Sequence, residues 1–224
     1  MPRLIRLDYN VGMHALRLLR PLVFALLSAT SGFALAGAQQ YEPLAASVQA
    51  ALHAAVSDSA APTLPIPDAG ERARWLAEMS RRLEKRIPDA AYRSELLVSV
   101  HYEATRAGLD PQLVLGLIQV ESNFRKYAIS SAGARGFMQV MPFWLDVLGR
   151  PNDNLFHLRT NLRYGCTILR HYLDIEKGDL FRALGRYNGS LGKPEYPNLV
   201  RTAWEKHWSW APARLAVGDA APVN

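Results

Sequence analysis

Glu121 is the residue with the most chemistry to offer. It closes the apolar run Pro111-Gln-Leu-Val-Leu-Gly-Leu-Ile-Gln-Val-Glu121-Ser122. Val114, Ile118 and Glu121 are spaced i, i+4, i+7 and so share one face of a helix. A carboxylate buried there without a partner is costly when ionised, so its pKa should rise. The last turn of a helix disfavours negative charge and pushes the same way. A carboxylic acid kept protonated near neutral pH is what general acid catalysis needs. The position equally suits an acid at a frayed helix end, turned out to water. The helix alone does not separate the two.

Two further segments carry suitable side chains. Beyond Glu121 comes Ser130-Ser-Ala-Gly133-Ala-Arg-Gly136-Phe-Met-Gln139-Val-Met141-Pro142, and later Tyr187-Asn188-Gly189. Glycines let a backbone turn tightly and approach a ligand closely. Gln139 offers donors and acceptors that suit hydroxyl and acetamido groups. Ser130 supplies a small hydroxyl, and Tyr187 can support a sugar ring while hydrogen-bonding. Each also has a purely structural reading: turn glycines, a solvated loop glutamine, a core tyrosine with its hydroxyl satisfied. Met138 reads as core.

Taken in order, E-S-x-F, then S-x-x-G-A-x-G-F-M-Q-x-M-P, then Y-N-G resembles a soluble lytic transglycosylase catalytic domain, whose fold goose-type lysozymes share. The resemblance covers about residues 90–205. It implies an all-α, lysozyme-like domain of short helices around an irregular active-site loop, acting on peptidoglycan glycan strands. Glu121 matches the single catalytic acid and base. Ser130, Gln139 and Met141 match positions that line the cleft near the scissile bond. Tyr187 and Asn188 match the tyrosine and asparagine that hold acid and sugar in place. Asn161 and Gly165 match an N-x-x-x-G on the helix behind the site, with a structural role. The sequence departs from the usual pattern at Phe137, at Phe143-Trp144 after Pro142, and at Arg186 before Tyr187. These departures bear on subsite shape.

Ordinary glycoside hydrolysis uses two carboxylates. Asp146, Asp153 and Glu103 are the candidates for a second acid, and none lies in the motif segments. A lone acid agrees with cleavage of the MurNAc–GlcNAc bond by cyclisation to 1,6-anhydro-MurNAc. The rival readings are a muramidase with a second carboxylate across the cleft, and a non-catalytic wall-binding or assembly module.

The elements that must position these groups are helical. Leu44 to Val56 suits a short helix, and Glu71 to Ile87 a basic amphipathic one with Leu76, Met79, Leu83 and Ile87 on its apolar face. Pro88-Asp89 opens a helix to about Ala107, and Gly108 ends it. Asp110-Pro111 restarts at once, with Asp at the N-cap and Pro at the first helical position. Residues 125–141 are irregular with short extended pieces. Helices follow at Pro142 to Leu148, Arg159 to Ile175, Leu180 to about Tyr187 capped by Asp179, and Pro197 to Trp208.

The 224-residue chain divides by composition into five parts. Residues 1–38 read as a secretory signal peptide: a basic start, an apolar stretch from Pro21 to Ala29, and small residues before cleavage after Ala36 or Ala38. That stretch is shorter than the ~20 residues of a spanning helix, which ranks an uncleaved anchor second. No cysteine lies nearby to carry a lipid. Residues 39–70 are an Ala/Pro-rich linker, 71–88 a basic helical extension, 89–210 the catalytic domain, and 211–224 a tail. The leader holds four arginines against one aspartate, half of the net charge of +6. The remainder is only mildly basic, which argues against nucleic acid as a partner. Helix 71–87 has two readings, a solvated face or a weak contact with an anionic envelope surface. Residues 39–88 are where secretion or pilus machinery would touch. Cys166 is the only cysteine and reads as a buried small hydrophobe. The histidines show no metal-ligand spacing. No cofactor is expected.

Overall fold

The computed structural model describes residues 39–57, 60–149 and 152–211, all within one compact unit. The expected signal peptide, residues 1–38, and all of the tail beyond Ala211 lie outside the described residues. The elements are α1 (Ala46–Ser57), α2 (Ala69–Leu83), α3 (Ala90–Arg106), α4 (Pro111–Ser122), α5 (Phe143–Leu148), α6 (Leu158–Ile175), α7 (Leu180–Asn188) and α8 (Glu195–Ala203). A π-helical turn, Trp204–Trp208, continues α8. The class is all-α, as expected. Among the described residues the only extended pairings are the isolated bridges Ile129–Arg135 and Arg135–Val140 in the loop before α5.

Helix α4 is the centre of the fold. Asp110 caps it by accepting from the Gln112 and Leu113 N–H groups, and Pro111 stands where its missing N–H costs nothing. Val114, Ile118 and Glu121 are buried as their spacing predicts. Burial is not confined to that stripe, however. Leu113, Leu115 and Leu117 are buried as well, because α3 packs on α4 from one side and α8 with its π turn from another. A helix apolar all round is a core helix. The π turn is fixed to α4 by Trp208 Nε1 donating to Gln119 Oε1 (2.9 Å), and by the Trp208 ring against Phe124.

Helix α2 lies against α3 through Trp75, Met79 and Leu83. Trp75, rather than Leu76, carries the seam: it is fully buried and meets His101 edge-on at 5.0 Å, while Leu76 is only partly covered. The larger ring displaces its neighbour from the centre of the face, since it covers more area. Most of the basic face is engaged within the protein. Arg72 donates to the Ile66 carbonyl, Arg82 to Glu78 and to the His207 and Ser209 carbonyls, and Arg86 to Asn123.

The Ala/Pro-rich stretch 39–70 is laid along the domain rather than held away from it. Gln39 and Val56 are buried, and Leu44, Leu52, Leu64 and Ile66 pack on the core. Composition alone reads this stretch as a linker. Five spaced aliphatic side chains, Val56 buried and the other four partly covered, seat it on the core. Beneath α3 and α6, Glu103 is completely buried between Arg163 (3.0 Å) and Arg106 (3.1 Å).

Candidate active site

The acid stands at the end of α4 in a dry setting. Glu121 is 5% exposed. The Tyr196 hydroxyl, from α8, donates to its Oε1, and Oε2 is buried with no hydrogen-bond partner. Burial pushes the carboxyl up to about 8, against a smaller downward pull from the Tyr196 bond. At neutral pH the group is therefore a neutral acid. Tyr196 is a donor in the same pH range, since its own pKa lies well above 10 through burial and the neighbouring Glu121.

The residue after the acid ties helix to loop. Ser122 Oγ donates to the Phe137 carbonyl (2.8 Å) and lies 3.2 Å from the Ile118 carbonyl. The α4 C-terminus then turns through Asn123 and Phe124, both with positive φ. The loop is folded by its own backbone: Arg135 and Val140 exchange N–H···O bonds at 2.9 and 3.0 Å, and Gly136 N–H donates to Ala128. Gly136 has φ +76°, and a Cβ there would come within 2.4 Å of Asn161 Nδ2.

The loop hangs on α6. Asn161 is fully buried; its Oδ1 accepts from Met138 N–H (2.8 Å), and its Nδ2 donates to the Arg135 and Leu155 carbonyls. Gly165, one turn on, leaves the space that Met138 fills: a Cβ there would be 2.4 Å from the Met138 sulfur. Met138 is thus core, and the N-x-x-x-G spacing has a physical reason. Cys166 beside it is fully buried, its thiol pushed up by burial.

The remaining expected site residues fall at two depths. Ser130 is half-buried, its Oγ accepting from Ala134 N–H (3.1 Å), and Met141 is partly exposed. Gln139 is 2% exposed, with φ +48°, and its amide donates to the Ala128 and Gly136 carbonyls. It braces the loop in this state. Tyr187 is fully buried and its hydroxyl donates to the Met138 carbonyl (2.8 Å). It lies close enough to Glu121 for a charge there to raise its own pKa further, beyond the effect of burial. Asn188 donates to Ser190 Oγ, and its buried Oδ1 has no partner.

The residues weighed as second acids are elsewhere. Glu103 is held between arginines, Asp153 accepts from Tyr164 (2.7 Å), and Asp146 is exposed on α5. Among the described residues no cluster of His, Cys, Asp and Glu could hold a metal ion. Sequence reasoning missed two residues. Tyr196, which holds the acid, lies 75 positions from it. Gln39, buried against the loop, stands in the stretch read as linker.

Residues 99–199, from the middle of α3 into α8, match the family described as the transglycosylase SLT domain. This stretch is a transglycosylase SLT domain. It contains every residue just described around Glu121 except Gln39. Similar proteins include a transglycosylase of Enterobacteria phage PRD1, 36% identical over 88 residues, which span 39% of this chain and 32% of the relative. Membrane-bound lytic murein transglycosylase C of Histophilus somni (strain 2336) is 39% identical over 105 residues, and that of Haemophilus influenzae (strain PittEE) 56% over 105. Each of those matches covers 40% of this chain and 29% of the relative. The chain thus spans about a third or less of the length of the curated relatives it matches. No solved structure matches it. No helix of the described residues is long and apolar enough to cross a membrane.

Proposed function

We propose that the protein is a peptidoglycan lytic transglycosylase that cleaves the β-1,4 bond between MurNAc and GlcNAc. The observation that carries this is Glu121, a protonated carboxyl at the end of the central helix, with one oxygen held by Tyr196 and the other free. The relatives are transglycosylases by name, two of them acting on murein.

In this reading Glu121 Oε2 donates its proton to the bridging glycosidic oxygen. The C1–O bond of MurNAc breaks and GlcNAc leaves with a free 4-hydroxyl. The acetamido oxygen of MurNAc bonds to C1 and holds the positive charge, a substrate-assisted route that needs no second carboxylate. Glu121, now ionised, takes the proton of the MurNAc 6-hydroxyl. O6 bonds to C1, the acetamido group is released, and a 1,6-anhydro ring closes. The attack is intramolecular and gains from proximity. Burial serves both halves: it keeps the acid loaded beforehand and makes its anion a stronger base afterwards.

Tyr196 fixes the carboxyl orientation. Tyr187 and Gln139 hold the loop that Met138 to Met141 forms. Ser130 and Met141 line the cleft, and the unpartnered Oδ1 of Asn188 is free to accept from a sugar hydroxyl or N–H. The leader pattern of residues 1–38 would deliver the chain to the periplasm, where this substrate lies.

Mass spectrometry of fragments released from purified peptidoglycan tests the reading. Anhydro ends from wild type and their loss in Glu121→Gln are expected, a drop of about 10²–10⁴-fold. Reducing ends would make the enzyme a hydrolase. Undiminished cleavage by Glu121→Gln would remove Glu121 from the mechanism.

A further inference from the structure

The segment before α1 is seated on the Gln139–Met141 loop. Gln39 is 4% exposed although it stands in a stretch without regular structure. Its Oε1 accepts from Trp144 Nε1 (3.1 Å) and Met141 N–H (3.3 Å), and its Nε2 donates to the Gln139 carbonyl (3.4 Å). The same amide acts on the Tyr187 hydroxyl. Three of the four residues that hold it were expected to serve substrate.

Residues 40–43 continue as a strap whose side chains alternate between two hollows. Tyr41 and Pro43 face α5, where Tyr41 meets the Phe143 ring edge-on at 5.7 Å, in a hollow shared with Asp146 and Val147. Gln40 and Glu42 face the other wall, a hollow lined by Tyr172, Arg186, Gly189 and Leu191. Glu42 pairs with Arg186 at 2.9 Å. Helix α1 anchors the far end through Gln49 Nε2 donating to the Val147 carbonyl. The strap thus runs between α5 and the loop after α7, from the Gln139–Met141 segment outward. Phe143, Trp144 and Arg186, its docking points, are positions where the sequence departs from the usual motif.

We propose that residues 39–44 are an intramolecular occupant of the glycan groove, which a glycan strand must displace in order to bind. This rests on the assignment of the groove to glycan. The chemistry of the contact supports it: a carboxamide held at both its oxygen and its nitrogen is what an acetamido group would also satisfy.

The strap's contacts are few and partly exposed, so opening costs little. An occupant that leaves the groove open in a fraction of molecules weakens ligand binding by that fraction. Loss of the three Gln39 hydrogen bonds should open the groove by about tenfold or more.

The test compares the full chain with Gln39→Ala/Tyr41→Ala and, separately, with Glu42→Ala. Binding of tetra-N-acetylchitotetraose is read by calorimetry, and turnover on purified peptidoglycan is read alongside. The double variant is expected to bind the tetrasaccharide about tenfold more tightly and to cleave faster, with Glu42→Ala shifted less in the same direction. In wild type, saturating tetrasaccharide is expected to raise amide hydrogen exchange across residues 39–44. Equal or weaker binding by the double variant, no binding by either protein, or unchanged exchange on ligand addition would each overturn the strap. Tighter binding without anhydro product would leave the strap standing and overturn the lyase reading.

Discussion

The buried acid makes the protein's stability depend on pH in a direction opposite to most carboxylates. Glu121 has a pKa of about 8 in the fold, against 4.5 when free. Between these values the folded state keeps the proton and the unfolded chain releases it. The unfolded state therefore gains with rising pH, and stability falls, at up to about 1.4 kcal/mol per pH step. At pH 4 both states are protonated and the group contributes nothing. At pH 7 the accumulated loss is about 3 kcal/mol, and it levels off above about 8, where the folded acid ionises too. Glu121→Gln removes the titration while keeping an amide oxygen for the Tyr196 hydroxyl. The variant should therefore match wild type near pH 4.5 and exceed it by about 3 kcal/mol at pH 7. Urea unfolding of both proteins at pH 4.5, 5.5, 6.5 and 7.5 gives the difference directly, provided the transitions are two-state. A difference that does not grow with pH would mean that Glu121 is solvated or paired in the fold. The account of how it stays protonated would then be wrong.

Tyr196→Phe removes the bond that draws the Glu121 pKa down. Activity should fall while the alkaline limb of the rate profile moves to higher pH; a lower rate with an unmoved limb would make Tyr196 merely structural. Asn161→Ala deletes three hydrogen bonds, two to the loop at Met138 and Arg135 and one to the Leu155 carbonyl. It should cost about 2–4 kcal/mol, seen as a lowered Tm, with activity lost even below the melting range. Glu103→Gln leaves Arg163 buried without its charge partner. A loss of about 3–5 kcal/mol in denaturant unfolding is expected, and a neutral result would place water at that pair.

The sequence made the site legible where chemistry and backbone geometry coincide locally. Asp110-Pro111 marks the start of α4 because a cap and a missing N–H act within one turn. Gly136 and the loop it opens are readable because positive φ leaves a compositional trace. Contacts made across the fold leave no such trace. Tyr196 and Glu121 are joined only because α8 returns against α4, and no spacing in the chain records it. Tyr187 shows the same limit from the other side. Its motif marks it as functional, yet its hydroxyl is turned to the Met138 carbonyl, so its effect on the reaction passes through the loop. Gln39 was hidden for a third reason. Ala- and Pro-rich composition describes a segment that cannot fold alone, and says nothing of one that folds onto a groove. The groove supplies the partners that the strap lacks, and those partners are the residues that the motif reserves for substrate. Under the proposal made for residues 39–44, segment and substrate are alternatives for one set of hydrogen bonds, those of the Gln139–Met141 loop and Trp144.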